Sequence, residues 1–264
     1  MSNLITSQVY DENSSDDDEK KIRKKVKKKI PKLPRKNVVI KNMDKDTGWM
    51  EAWNRPKNRS PADLIHSYRL LAMGGCGRGK TNYMKQIFLA AQSSARKFKR
   101  LYVVTCDLES REWDDCSPTE IFDVLPPIEL FDSGEKTCVI IDDYEFEKCG
   151  KEEMRKLTTL FRMISTHKSV SVLASYQSFF HVPQICRKVS NVFIIYKPNS
   201  DLELQSICNR VGMKADDLKS LFRNHASGHF DMIMLDKTKE SPYPIRRNLY
   251  DIIDYNSDSE TDSD

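Results

Sequence analysis

The chain has 264 residues, of which 39% are hydrophobic and 31% charged, and a formal net charge of +4. That length and composition support one globular domain with a substantial core, and no stretch of the sequence approaches the run of about eighteen or more apolar residues that a membrane-spanning helix needs. Seven cysteines without a CxxC pair form neither a disulfide framework nor a zinc site and fit a reducing compartment, and the start lacks a charged-then-apolar signal pattern.

Charge is segregated along the chain. Residues 1–19 carry six acidic and no basic side chains, residues 20–36 eleven basic and no acidic ones, and residues 257–264 four acidic ones, which leaves +3 for residues 37–256. Blocks of like charge repel and bury nothing, so residues 1–36 are expected to form a disordered acidic-then-basic arm and residues 257–264 a disordered tail. The run KKIRKKVKKKIPKLPRK, Lys20 to Lys36, suits either a DNA-contacting arm or a nuclear import signal, since any polyanion would condense on it. Pro31 and Pro34 argue against a continuous helix there.

Residues 37–256 read as the folded domain. Ile65 to Met73 predicts a buried strand ending in glycines, and Thr81 to Phe98 has helical spacing, with Tyr83, Ile87, Phe88 and Ala91 on one side. Leu101 to Asp107 and Lys136 to Tyr144 predict the second and third strands, with a short helix expected near Pro118 to Asp123 between them. Glu152 to Thr166 predicts a helix with an apolar stripe of Met154, Leu157, Leu160, Phe161 and Ile164. Ser169 to Gln177 predicts a fourth strand, Pro183 to Lys188 a short helix and Asn191 to Lys197 a fifth strand. A helical stretch from Asp201 to Phe222 precedes a terminal hairpin made of HFDMIMLDK and the segment from Tyr243 to Leu249. Strands alternating with helices need crossover connections, so the fold expected is three-layer α/β with a mainly parallel sheet.

GGCGRGKT, comprising Gly74, Gly75, Cys76, Gly77, Arg78, Gly79, Lys80 and Thr81, matches GxxxxGK[ST] between a predicted strand and a predicted helix. Glycines let backbone N–H groups wrap a phosphate chain, Lys80 reaches the β- and γ-phosphates, and Thr81 can ligate Mg²⁺. The third strand, CVIIDDY, ends in the pair such a loop requires. Asp142 is placed to hold Mg²⁺ through water and Asp143 to polarise an attacking water, with Glu145 as the alternative base. One strand later Gln177 stands where a sheet neighbour would face the γ-phosphate and could sense it. Arg187, Arg162 and Lys188 are the candidates for a cationic finger reaching a neighbouring subunit's nucleotide. No NKxD, HExxH or GxSxG motif occurs, and the five histidines lack ligand spacing.

The ordered series GGCGRGKTN, VIIDDY, ASYQSFFHVPQICRKVSNVFIIYKP and HFDMIMLDKTKESPYPIRRNLY resembles the poxvirus-type DNA-packaging ATPases of large DNA viruses and virophages, within the FtsK-HerA superfamily. It spans roughly residues 65–250. The resemblance implies a RecA/ASCE-like P-loop NTPase fold, ATP and Mg²⁺ as cofactors, and an ATP-driven motor that threads double-stranded DNA into a capsid. It implies a homo-oligomeric ring, capsid or portal-type partner proteins, and residence in the host cytoplasm (a viral factory), the nucleus or the virion. Carried over by position, Lys80 and Thr81 bind ATP and Mg²⁺, Asp142 and Asp143 are the metal-binding and catalytic acids, and Gln177 is the sensor. An arginine expected just before the fourth strand is replaced by Thr166 and His167, which leaves Arg162 and Arg187 as competing fingers. The alternatives are a cellular-type DNA translocase or helicase of the same superfamily, a nucleotide kinase, and a nucleotide-bound DNA tether without turnover.

Overall fold

Nine strands join in one sheet in the order β3-β2-β4-β5-β1-β6-β7-β8-β9. The computed structural model describes residues 60–254 except 66, 95–96, 110, 239–240 and 242–243, so the charged arm and the acidic tail lie outside the described residues. The strands are β1 (Arg69–Met73), β2 (Arg100–Thr105), β3 (Glu120–Phe122), β4 (Thr137–Asp142), β5 (Val170–Tyr176), β6 (Val192–Tyr196), β7 (Met232–Asp236), β8 (Ile245–Arg247) and β9 (Asp251–Ile252). Pairing is parallel from β3 through β6 and antiparallel from β6 through β9. The architecture is therefore α/β with a mainly parallel sheet and a C-terminal antiparallel hairpin, as expected.

Every residue of β4, β5 and β6 is buried. Strands covered on both faces carry continuous apolar runs instead of alternation, which is why VIID and VFIIY read as strands without a polar side. The pleat divides each strand between two cores. Leu70 and Ala72 of β1 join Cys138 and Ile140 of β4 in one core, whereas Leu71 and Met73 join Val139 and Ile141 in the other.

The first core is closed by α1 (Lys80–Gln92), which buries Met84, Ile87, Phe88 and Ala91 at helical spacing. Helix α1 stops at Gln92, and Phe98 follows it to stack on Phe88 with centroids 5.9 Å apart. The second core is closed by α2 (Lys151–Thr159), α5 (Asp201–Val211) and α6 (Ala215–His225). Helix α2 runs through a π-helical turn, Leu160–Ile164, into α3 (Ser165–His167), so the predicted stripe is continuous while its geometry is not. Helix α4 (Gln184–Val189) is the short helix expected before β6.

Two expectations about elements need correction. Residues 118–123 hold no helix: the amide of Thr119 donates to the Leu101 carbonyl at 2.7 Å, and Glu120–Phe122 pair in parallel with β2 as an edge strand. The helical turn of this stretch lies earlier, at Arg111–Cys116, where Trp113 is buried. The single predicted helix from Asp201 to Phe222 is two helices. Gly212 adopts a left-handed φ of 72° and caps α5, its amide donating to the Cys208 carbonyl at 2.8 Å.

Candidate phosphate-binding site

The loop from Gly74 to Gly79 joins the buried end of β1 to α1. Its shape depends on glycine at defined points. A Cβ on Gly74 would lie 2.6 to 2.8 Å from the Tyr196 side chain, so the loop can leave the sheet beside β6 only without a side chain there. Gly77 and Gly79 take φ of 70° and 85°, conformations open to glycine at little cost. Space is left inside the turn, since nothing lies within 4 Å of a Cβ built on Gly75 or Gly77.

Gly79 is the N-cap of α1 and no side chain caps the helix, so the first amides of a 13-residue helix are free to face an anion. Lys80 is buried, and its ammonium donates to the carbonyls of Gly74 at 3.0 Å and Gly75 at 3.1 Å, which arches the side chain back over the loop. Cys76 is exposed at the tip, and Arg78 donates from Nη1 to the His229 carbonyl at 2.8 Å.

The acidic pair reaches this loop through the sheet order. Strand β5 separates β1 from β4, pairing Tyr176 with Met73 on one side and Ala174 with Ile141 on the other. The Gly74 amide donates to the Tyr176 carbonyl at 3.0 Å, so the loop starts level with the tip of β5. At that level Thr81 Oγ1 donates to Asp142 Oδ2 at 2.8 Å. Ser175 Oγ donates to Asp142 Oδ1 at 2.6 Å and accepts the Asp143 amide at 2.9 Å. One serine hydroxyl of β5 thus positions both aspartates, a role that sequence reading did not assign.

Asp142 is 5% exposed. Burial raises its pKa, and the hydrogen bonds from Ser175 and Thr81 offset that only in part. A carboxyl raised above its unfolded value of 3.8 contributes stability fully below that value, and the contribution is lost as the pH rises through the folded value. Asp142→Asn is therefore expected to stabilise the free protein at pH 7, where the wild-type carboxylate bears the cost of burial. Urea denaturation should show a small difference at pH 4 that widens towards pH 7; a variant less stable than wild type at pH 7 would contradict it.

Asp143 is exposed and left-handed, with φ 47°, a conformation in which aspartate is enriched among non-glycine residues. It lines a cleft of about 220 Å³ together with Glu145, Lys148, Gln177 and His181. Gln177 follows the last residue of β5, so the structure brings it to the same cleft as Asp143. Glu145 lines that cleft too but is ion-paired with Lys148.

The two arginine candidates lie elsewhere in the chain. Arg162 is exposed in the π-helical turn, and one turn later Ser165 and Thr166 accept hydrogen bonds from Arg69 at the start of β1, the end of that strand away from the phosphate loop. Arg187 is half-buried on α4 with its guanidinium 5.2 Å from the Phe179 ring centroid, while Lys188 is exposed beside it. Neither arginine is seen to join the loop.

A further set of residues meets the loop without having been singled out. The turn between α6 and β7 places Phe230 against Gly79, whose Cβ would lie 3.8 Å from Phe230 Cδ1. Its one sequence signal was the arginine and asparagine of the closing hairpin, Arg247 and Asn248, which hold Asp231 in that turn.

The residues present suit a divalent cation. Thr81 Oγ1 and the Asp142 carboxylate are adjacent hard oxygen donors, and the remaining positions would be filled by phosphate oxygens and water. No helix among the described residues is long and apolar enough to cross a membrane.

Comparison with known proteins gives matches in structure alone: no protein-family model and no curated protein sequence matches the chain. The genome packaging NTPase B204 from Sulfolobus turreted icosahedral virus 2, in complex with sulfate, superposes with a TM-score of 0.53 at 15% identity, covering 73% of this chain and 100% of that one. Its complex with AMP gives 0.52 at 16% identity, over 72% and 100%. B204, the DNA-packaging ATPase from Sulfolobus turreted icosahedral virus, gives 0.51 at 14% identity, over 71% and 99%. The shared fold is that of a P-loop NTPase.

Proposed function

We propose that this chain is an ATPase that drives double-stranded DNA, working as a viral genome-packaging motor. The observation that carries the reading is the Thr81–Asp142 contact at 2.8 Å, which joins the phosphate loop to the acidic strand across β5. Support for the packaging role comes from the resemblance of the ordered motifs and from the fold shared with B204.

The free amides of α1 and the Lys80 ammonium receive the phosphate chain, and the helix dipole favours its negative charge. Mg²⁺ held between Thr81 and Asp142 would supply charge neutralisation on the β- and γ-phosphates. Asp143 accepts a proton from, and orients, the water that attacks the γ-phosphorus. Gln177, at the tip of β5 in the same cleft, would sense the γ-phosphate and pass its loss to the segment of Phe179–His181 and α4. Phe180 in that segment is exposed, and Arg187 or Arg162 would act on the nucleotide of a neighbouring copy in a ring. DNA contacts would be to phosphates, because a motor must translocate any sequence. The basic run Lys20 to Lys36 would capture DNA or dock to the capsid, in the host cytoplasm, nucleus or virion.

The test is phosphate release from Mg²⁺-ATP with and without double-stranded DNA, with Asp143→Asn alongside. Stimulation by DNA, and a loss of tenfold to a thousandfold in turnover with nucleotide binding retained in the variant, is the expected result. Turnover indifferent to DNA but increased by a nucleoside or nucleotide acceptor would instead make the protein a kinase. Binding without turnover, with a capsid extract present, would make it a tether.

A further inference from the structure

Phe230 is 61% exposed, yet the turn that carries it is tied by several hydrogen bonds. The Gly228 amide donates to Asp231 Oδ2 at 2.8 Å and the Asp231 amide donates back to the Gly228 carbonyl at 3.2 Å. Arg247 Nη2 reaches both oxygens of Asp231 at 3.2 and 3.3 Å, and Asn248 Nδ2 reaches one at 3.4 Å. Asn248 itself sits at φ 53° and accepts the Met232 amide at 3.2 Å, which locks the turn to the hairpin. The phosphate loop and α1 both hold the same turn: Arg78 binds the His229 carbonyl, and the Tyr83 hydroxyl approaches the Phe230 carbonyl at 3.5 Å. His229 abuts the Phe230 ring edge-on, with centroids 4.8 Å apart at 88°.

The turn lies on a defined side of the loop. The groups that would hold the γ end, Thr81 and Asp142, lie towards β4, on the β5 side of β1. β6 and β7 lie on the other side of β1, and because β7 runs antiparallel to β6, the residues just before it, Phe230 and Asp231, return to the phosphate-loop end of the sheet. A triphosphate whose γ end points to Asp142 thus directs its nucleoside end towards Phe230. A rigid apolar face left in water at that point gains most by covering a flat aromatic ligand, whose ring prefers an offset stack.

We infer that Phe230, braced by His229 and fixed by Arg78 and the Arg247–Asn248–Asp231 cluster, is the stacking platform for the nucleobase, and that the site takes purine nucleoside triphosphates in preference to pyrimidine ones. This rests on the reading of the loop as a nucleotide site. Stacking offers area and no base-edge hydrogen bonds, so it favours the larger purine without separating adenine from guanine. That agrees with the absence of a base-reading NKxD motif.

Calorimetry on the full chain with ATP, UTP and inorganic tripolyphosphate separates the two layers of the argument. Wild type is expected to bind ATP more tightly than UTP. Phe230→Ala should weaken ATP binding about tenfold to a hundredfold while leaving tripolyphosphate within twofold, and Phe230→Tyr should restore ATP. An equal loss for ATP and tripolyphosphate, or no loss for ATP, overturns the platform while leaving the phosphate site standing. Wild type that binds neither ATP nor tripolyphosphate overturns the nucleotide reading itself.

Discussion

Lys80→Ala will fold and will lose more than a hundredfold in ATP turnover. The ammonium is buried among backbone groups and held by the carbonyls of Gly74 and Gly75, a position from which a small rotation aims it into the loop. One preorganised charge directed at a developing phosphate charge is worth about a hundredfold to a thousandfold in rate, roughly 3–4 kcal/mol. The amides of α1 supply only a partial charge, on the order of half a unit, and cannot replace it. Lys80→Arg should fail as well, because a planar guanidinium does not fit a turn built around glycine backbone. Phosphate release at saturating Mg²⁺-ATP, with denaturation curves to show that the fold persists, checks both. More than a tenth of wild-type turnover in Lys80→Ala would refute the assignment of the loop.

Arg246→Met will cost about 3–5 kcal/mol of stability, the largest loss expected from any single ion pair described in the chain. The side chains of Arg246 and Asp236 are 1% and 3% exposed and meet at 2.9 Å. Asp236 is otherwise satisfied by the amide and the hydroxyl of Thr238, at 3.0 and 2.5 Å, and by the Ser241 hydroxyl at 2.7 Å, and Arg246 also donates to the Pro61 carbonyl. Removing the guanidinium leaves a buried carboxylate with neutral donors only. Surface pairs such as Lys85–Asp115 and Arg100–Glu135, whose acids are 58% and 44% exposed, are screened by solvent and should each contribute little. Urea midpoints for Arg246→Met, Asp236→Asn and the double variant test this. The double variant should recover a large part of the loss, since the unpaired charge is gone; a loss equal to the sum of the singles would contradict the mechanism.

The site was legible in proportion to how local its chemistry is. Gly74 to Thr81 form one covalent turn, so the residue types needed to wrap a phosphate appear next to one another in the chain. Asp142 and Asp143 were readable because a buried strand must end where its apolar run ends, and the next residue then faces the rim of the sheet. Gln177 was placed by the same argument. Ser175 was not, although it positions both aspartates, because a serine inside an apolar strand gives no sign of which neighbour its hydroxyl meets. Phe230 was not singled out because it stands at the head of HFDMIMLDK, where an aromatic reads as part of a hairpin strand.

The misread elements follow the same division. Pro118 to Asp123 has weak local preference, and the free edge of β2 recruited it as a strand. Gly212, in contrast, was a local stop signal at a helix end and could have been read as one.

The amino-acid order alone thus determined the main strands and helices, the phosphate loop and the acidic strand end, because hydrophobic periodicity and glycine conformation act over a few residues. Tertiary structure decided the order of the strands. By inserting β5 between β1 and β4 it set Thr81 against Asp142, and by returning β7 beside β6 it brought Phe230 to Gly79. Those contacts join residues 61 and about 150 positions apart, and which distant faces meet is settled by the packing of the whole sheet, not by any local pattern.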